Sequence, residues 1–302
     1  GYDRPEQILR DADTALYCAK AKGRQTWEVF ESSMHGKAVD MLRMESDLRR
    51  AVERQEFVLH FQPIIELASG RITALEALLR WQHPVRGMVA PEEFIPLAEE
   101  TGLIVPIGWW VLEKAVECLA QWRRLGVADS SLSISINVSA RQFRQPDLIE
   151  RIQELLNRTG IEPRCLKLEI TEGTLMENAE TTTAVLLQLR ALDIQLLVDD
   201  FGTGHSSLSY LHRFPIHALK VDRYFVREIG VKEEGLEIVR SIVRLAHGLG
   251  MEAIAEGVET AGQEAYLRGV ECDFTQGFHF SRPIRADEVA ELLRQGSIAN
   301  NN

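Results

Sequence analysis

From about Val58 to the end of the chain, short runs rich in β-branched and aliphatic residues alternate with longer stretches whose apolar residues recur every three or four positions. The short runs predict strands near 58–65, 72–79, 132–138, 165–171, 194–200, 218–222, 252–256 and 271–274. The longer stretches predict helices over 91–100, 109–125, 147–159, 181–192, 234–248 and 286–294, several of them opening near an Asp, Thr or Pro. Eight strands interleaved with helices are the pattern of a parallel sheet closed into an α/β barrel. The stretch from Glu66 to Arg71 that joins the first two strands is too short for a helical crossover, so that pair is expected to run antiparallel. The expected fold is an irregular (β/α)8 barrel of the TIM type with one antiparallel strand, preceded by an N-terminal helical appendage.

Within the appendage, residues 31–54 read as one helix, with Met34, Met41 and Leu48 seven apart and Met44 and Ala51 alongside. Such a stripe serves either as a short coiled-coil seam between two copies of the chain or as a face packed against the chain's own barrel. Two or three heptads do not separate the two. The chain opens at Gly1 without Met, as a fragment cut from a longer protein would.

Composition narrows the class. Hydrophobic residues make up 45% of the 302 positions and charged ones 26%, a mixture that supports a sizeable buried core. No apolar run is long enough to cross a bilayer and Gly1 to Pro5 lack the layout of a secretory signal, so no membrane segment is expected in this chain. Cys18, Cys118, Cys165 and Cys272 form no Cys-x-x-Cys pair, which argues against a zinc knuckle or a disulfide framework and fits a reducing cytoplasm. A formal net charge of −11 gives no overall attraction for a nucleic acid polymer. A phosphate-bearing ligand then needs a local basic group or bound cations.

Buried carboxylates are costly, yet nearly every expected strand carries one inside it or at its end. Glu76, Asn137, Glu169, Asp199, Asp200, Asp222 and Glu256 all fall there, and the C-terminal rim is where barrel enzymes hold their active sites. For a single acid the plain alternative is a solvated helix start; for the whole set, convergence on one site is the better explanation. Glu76 and Arg80 share a strand face about 13 Å apart, a carboxylate followed by a phosphate-binding guanidinium. Lys220 and Asp222 also share a face, as two members of one site or as a structural ion pair. Oxygen donors without His or Cys suit magnesium or manganese rather than zinc, and adjacent acids such as Asp199 and Asp200 suit two cations about 4 Å apart, an arrangement used in phosphoester hydrolysis. The glycines of Phe201-Gly202-Thr203-Gly204-His205-Ser206-Ser207 permit a tight loop directly after the acidic pair.

Over about 47–294 the chain resembles an EAL domain, the cyclic di-GMP phosphodiesterase family named for the tripeptide that stands here as Glu76-Ala77-Leu78. The resemblance extends through Leu79-Arg80-Trp81, Phe61-Gln62-Pro63, Ile136-Asn137-Val138-Ser139, Glu169-Ile170-Thr171-Glu172, Asp199-Asp200-Phe201-Gly202-Thr203-Gly204, Leu219-Lys220-Val221-Asp222, Ala255-Glu256-Gly257-Val258-Glu259 and Gln276-Gly277-Phe278. It implies metal-dependent hydrolysis of cyclic di-GMP to linear 5′-pGpG, which lowers a bacterial second messenger. By the same resemblance Glu76, Asn137, Glu169 and Asp199 would hold one magnesium or manganese ion, with Asp199, Asp200, Asp222 and further acids around the second, and calcium would inhibit. Glu256 would be a metal ligand or general base, and Lys220 would orient the attacking water. Gln62, Arg80 and Gln276 would contact the dinucleotide, and Glu172 would anchor the loop after Asp200. His205 and Phe278 stand where the family often has Tyr.

Asp11-Ala12-Asp13-Thr14-Ala15-Leu16-Tyr17-Cys18-Ala19-Lys20 through Gly23-Arg24 resemble the closing helix and turn of a diguanylate cyclase (GGDEF) domain. The signature loop of that domain is absent, so no cyclase activity is expected. The implied layout is a GGDEF remnant over 1–30, a linker helix over 31–54, the EAL barrel over 55–296 and a disordered tail over 297–302. A homodimer, with cyclase-like and sensor domains adjacent in the parent protein, completes the expectation. Two rival classes are a cyclic di-GMP receptor that has lost catalysis and a scaffold that signals by dimerising through residues 31–54.

Overall fold

The structure is a computed structural model that describes residues 4–21, 27, 29–31, 33–177, 179–202, 211–231 and 233–295. The loop 203–210 with His205, the Gly23-Arg24 turn and the tail 297–302 lie outside the described residues. The chain divides into two compact units, one made of Gly1–Val58 with Arg80–Ile107 and the other of Leu59–Leu79 with Gly108–Asn302.

Among the described residues ten strands are formed: β1 Phe57–Glu66, β2 Ile72–His83, β3 Gly87–Val89, β4 Ser133–Asn137, β5 Leu166–Thr171, β6 Gln195–Phe201, β7 Ala218–Val221, β8 Glu252–Ala255, β9 Phe274–Thr275 and β10 Ile284–Arg285. Neighbours run β1-β9-β8-β7-β6-β5-β4-β2, and pairing of β2 with β1 closes the ring into an eight-stranded barrel. The pairings from β2 through β9 are parallel, whereas β1 meets β9 antiparallel, the reversal that the short β1–β2 connection requires. In that connection Gly70 N–H donates to the Glu66 carbonyl and Gly70 sits at φ 71, the left-handed turn that glycine adopts without penalty.

All eight expected strands are present, and the last starts later than anticipated. Cys272 N–H bonds to the Leu267 carbonyl and Glu271 sits at φ 60, so 271–273 close the preceding helix Ala261–Gly269 before β9 begins. Three short helices escaped the periodicity reading because each is shorter than two turns: Ala140–Phe143, Glu172–Met176 and Arg223–Arg227. Each follows a barrel strand and opens on a capping side chain, from Ser139, Thr171 and Asp222 respectively. The 222 end of the seventh expected strand is therefore a helix cap rather than a ladder residue.

Inside the barrel, Ile64 of β1, Ala74 of β2, Leu197 of β6, Ala218 of β7 and Ile254 of β8 form one buried apolar layer, with Phe274 of β9 packed against it. That layer plugs the interior, so the barrel is a packed core rather than a pore.

In the other unit, Trp81 is fully buried between Phe57 and Phe94, with ring centroids 6.3 and 5.6 Å away, and its Nε1 donates to Glu56 Oε2 at 3.1 Å. The helix Ser33–Arg54 buries Met34, Met44, Leu48 and Ala51, and Met34 packs against Ala15 and Phe30. Met41, the remaining large residue of the stripe, is half-buried.

The loops after β8 and β9 are laced together where Val258 N–H donates to the Gln276 carbonyl and His279 N–H to the Val258 carbonyl. Gly277 makes this approach possible, since a Cβ there would collide with the backbone N and O of Val258. Gly277→Ala should therefore destabilise the barrel by about 1–3 kcal/mol, as overpacking against rigid backbone does; urea unfolding of the variant checks this, and an unchanged midpoint would contradict the packing described.

Candidate active site

The apolar layer fixes the polar one above it. Side chains two apart on a strand share a face, and two positions beyond each layer residue stands a site residue: Glu76 after Ala74, Asp199 after Leu197, Lys220 after Ala218, Glu256 after Ile254 and Gln276 after Phe274. On the reversed strand β1, Gln62 precedes Ile64 by two. Strand register brings β4 and β5 to the same level, with Glu76 opposite Ser135 and Asn137 opposite Glu169. Residues scattered over 215 positions of sequence therefore meet at the C-terminal mouth.

At the centre lies Lys220, 1% exposed. Its Nζ is 2.5 Å from Glu169 Oε2, 3.2 Å from Asp199 Oδ1 and 3.8 Å from Glu76 Oε2, and it also contacts Glu256 Oε1. Burial by itself lowers an ammonium pKa, but these four carboxylates outweigh it and hold Lys220 well above the ordinary lysine range.

Four carboxylates against one ammonium leave an excess of negative charge, and the acids respond. Burial, reinforced by Glu76, pushes Glu169 well above the usual carboxyl range against the pull of Lys220. Burial likewise carries Glu256 up to about 8, with Lys220 opposing and Asp199 and Glu76 adding to the rise. Asp200 is raised to about 6 by burial, by Asp199 and by a hydrogen bond with Asp222.

Around this centre both oxygens of Glu76 are held, Oε1 by Asn137 Nδ2 at 2.8 Å and Oε2 by Gln276 Nε2 at 2.6 Å. Gln276 Nε2 also reaches Gln62 Oε1 at 2.9 Å, and Gln62 Nε2 donates to the Ser281 carbonyl at 2.9 Å. Ser135 Oγ donates to Glu169 Oε1 at 2.5 Å. Sequence reading missed Ser135, although a signal was there: in Ser133-Ile134-Ser135-Ile136-Asn137 the polar residues alternate along one face that leads to Asn137.

The acidic pair on β6 depends on a local irregularity. In a regular strand Asp199 and Asp200 point to opposite faces. Here Asp200 sits at φ 53 and the register with β7 shifts between Val198 and Phe201, a bulge that turns both side chains to the same site. Asp tolerates this left-handed backbone better than most residues do. As a result Asp199, Asp200 and Glu256 offer oxygen atoms that all lie within 4.8 Å of one another, a grouping fit for a metal ion. Asp199 Oδ1 is buried and accepts no hydrogen bond, although the Lys220 ammonium is near.

Three expected members stand apart from this cluster in different ways. Asp222 Oδ1 accepts the Tyr224 N–H at 2.6 Å and so caps a helix while it also touches Asp200. Glu172 Oε2 accepts the Gly202 N–H at 3.2 Å, at the foot of the loop that continues outside the described residues. Arg80 lies four residues beyond Glu76 on β2 and belongs to the first compact unit.

Comparison with known proteins places this barrel. EAL domain matches residues 45–283. The chain is 42% identical over 283 residues to the bifunctional diguanylate cyclase/cyclic di-GMP phosphodiesterase MucR of Pseudomonas aeruginosa, covering 94% of this chain and 41% of MucR. It is 42% identical over 279 residues to the cyclic di-GMP phosphodiesterase PdeR of Escherichia coli, covering 92% of this chain and 42% of PdeR. The chain thus spans about two fifths of the length of the curated relatives it matches. Among solved structures, the MucR phosphodiesterase in complex with c-di-GMP superposes with a TM-score of 0.78 at 42% identity, over 82% of this chain and 99% of that one. The EAL enzyme Bd1971, bound to cAMP and cyclic di-GMP, gives 0.82 at 33% identity, over 97% of this chain and 76% of that one. A family match that takes in every strand of the barrel, joined to relatives of this identity and to the acid-ringed lysine at its mouth, makes the chain a member of the EAL domain family.

Proposed function

We propose that the chain hydrolyses cyclic di-GMP to linear 5′-pGpG, using magnesium or manganese held at the barrel mouth, with calcium as an inhibitor. The observation that carries this reading is the joining of Glu76, Glu169, Asp199 and Glu256 around one buried lysine in an EAL barrel. The donor set supports hard divalent cations: it is all oxygen, in excess over its counter-charge, and it includes a buried carboxylate oxygen that accepts no hydrogen bond. Glu76, Asn137, Glu169 and Asp199 would hold one cation, and Asp199, Asp200, Glu256 and Asp222 the second. When bound, such cations stabilise the charge that develops on the phosphodiester and make water easier to deprotonate.

The chain's own residues do the rest. Lys220, clamped by Glu169, orients the attacking water, and Glu256 Oε1, which touches the same ammonium, is placed to receive a proton from it. The water oxygen bonds to phosphorus, the P–O3′ bond breaks, and the leaving oxygen takes a proton. Gln276, bonded to both Gln62 and Glu76, contacts the dinucleotide with Gln62, and Arg80 is a further contact that the family resemblance implies. Glu172 anchors the loop after Asp200 through the Gly202 N–H.

The domain layout inferred from the sequence is kept within this reading: a GGDEF remnant over 1–30, a linker over 31–54, the EAL barrel over 55–296 and a tail over 297–302. So are a homodimer, adjacent cyclase-like and sensor domains, and a cytoplasmic setting. In support of the last, Cys118, Cys165 and Cys272 are free and buried, and no helix among the described residues is long and apolar enough to cross a membrane.

With purified chain, manganese and cyclic di-GMP, chelator-sensitive formation of linear product is expected, and Glu76→Ala or Asp199→Ala should abolish it while circular dichroism stays native. Binding of the dinucleotide without turnover by the unaltered chain would replace this reading with that of a receptor. Lys220→Ala should lower kcat by roughly 10²–10⁴-fold with a much smaller change in KM, as loss of a group acting in the chemical step does; steady-state kinetics decides, and a change confined to KM would remove Lys220 from that step.

The raised acids also set a pH dependence. Glu256 has an ordinary pKa of 4.5 and a folded value of about 8, so between these values the folded state binds more protons than the unfolded one. Stability of the metal-free chain should accordingly fall as pH rises from about 5 to 8. Manganese displaces those protons, so the Tm increase it gives should be larger at pH 8 than at pH 5. Differential scanning calorimetry checks both trends, and an equal increase at the two pH values would contradict the assignment of these acids as ligands.

A further inference from the structure

The first unit holds a second charged site of opposite sign. Arg43, Asp47, Arg50 and Arg54 recur at helical spacing along one face of Ser33–Arg54, and the β2–β3 turn stands opposite with His83, Pro84, Val85 and Arg86. Together they line a cleft of about 510 Å³, within the range of small-molecule sites.

The turn is built rather than loose. His83 is buried, and its Nδ1 accepts the N–H groups of both Val85 and Arg86 at 3.1 Å. Its Nε2 therefore carries the hydrogen and donates to Asp47 Oδ2 at 3.3 Å, which pins the turn to the helix.

Both acids of the cleft are already engaged by the protein, Asp47 by His83 and Glu56 by Trp81 Nε1. Arg54 has Glu56 within 4.0 Å and Arg43 has Asp40 within 3.9 Å. Arg50 and Arg86 line the same cleft, and among the described residues neither guanidinium has a hydrogen-bond or ion-pair partner. Four arginines against two engaged acids make a local positive excess in a chain of net charge −11.

Two free guanidinium forks suit the paired oxygens of adjoining phosphates. Beside them Pro84 and the 88%-exposed Val85 supply an apolar wall for a base and sugar. We propose that this cleft binds a nucleoside polyphosphate through Arg50 and Arg86, at a site separate from the carboxylate cluster.

The test is calorimetric titration of the full chain with ADP and with inorganic pyrophosphate, in buffer containing EDTA so that the barrel acids hold no cation. Saturable ADP binding is expected, tighter than that of pyrophosphate and weakened at least tenfold in Arg50→Ala/Arg86→Ala, with cyclic di-GMP hydrolysis in manganese unchanged in that variant. Arg50→Lys/Arg86→Lys, which keeps the charge and loses the forks, should bind with intermediate affinity and guards against a folding defect. No saturable binding, affinity unchanged in the alanine variant, or pyrophosphate bound as tightly as ADP would each overturn the proposal. Capture of a poly-glutamate peptide in place of ADP would overturn it in favour of a protein partner.

Discussion

A lysine ammonium with four carboxylates around it, almost wholly out of water, is the interaction on which the barrel mouth depends. Removing any one of these charges from water costs on the order of several kcal/mol, and only close pairing with well-placed hydrogen bonds offsets it. Lys220 supplies the pairing for Glu76, Glu169, Asp199 and Glu256, while Ser135 donates to Glu169 and Asn137 and Gln276 to Glu76. The compensation is incomplete, because one ammonium cannot neutralise four carboxylates, and burial, with the neighbouring acids adding to it, raises the carboxyl groups of Glu169 and Glu256. An imbalance of this kind is characteristic of a site shaped for added positive charge rather than for stability alone.

The barrel builds the cluster through layering. One apolar layer, from Ile64, Ala74, Leu197, Ala218 and Ile254, excludes water from below, and the next side chain on the same face of each strand enters the site. Period-two geometry thus converts a one-dimensional alternation into a ring of functional groups at a single height. Where that alternation would defeat the chemistry, at the adjacent Asp199 and Asp200, the bulge at φ 53 suspends it. The reversed strand β1 obeys the same rule with its direction inverted, which is why Gln62 precedes its layer residue instead of following it.

Charge is divided between the two units. The barrel unit gathers acids at its mouth, whereas the unit that includes Ser33–Arg54 and the β2–β3 turn gathers arginines along a cleft braced by His83. Each arrangement uses a buried titratable side chain as its brace, Lys220 in one and His83 in the other, and each leaves side chains of one sign available to a ligand of the other.

The sequence by itself determined the strand and helix alternation, the reversal of the first strand pair and the list of acids, because these follow from local periodicity, connection length and residue chemistry. It also carried the family, through motifs that are contiguous along the chain. It did not reveal the short helices capped by Ser139, Thr171 and Asp222, which contain too few residues to show a period. Nor did it show that Lys220 stands among four acids rather than beside Asp222 alone, since those partners lie on β2, β5, β6 and beyond β8 and meet only when the barrel closes. The placing of Asp199 and Asp200 on one side, the role of Ser135 and the brace of His83 on Asp47 were likewise decided by tertiary structure. Each depends on register or backbone twist between segments distant in the chain, and local propensity carries no information about that.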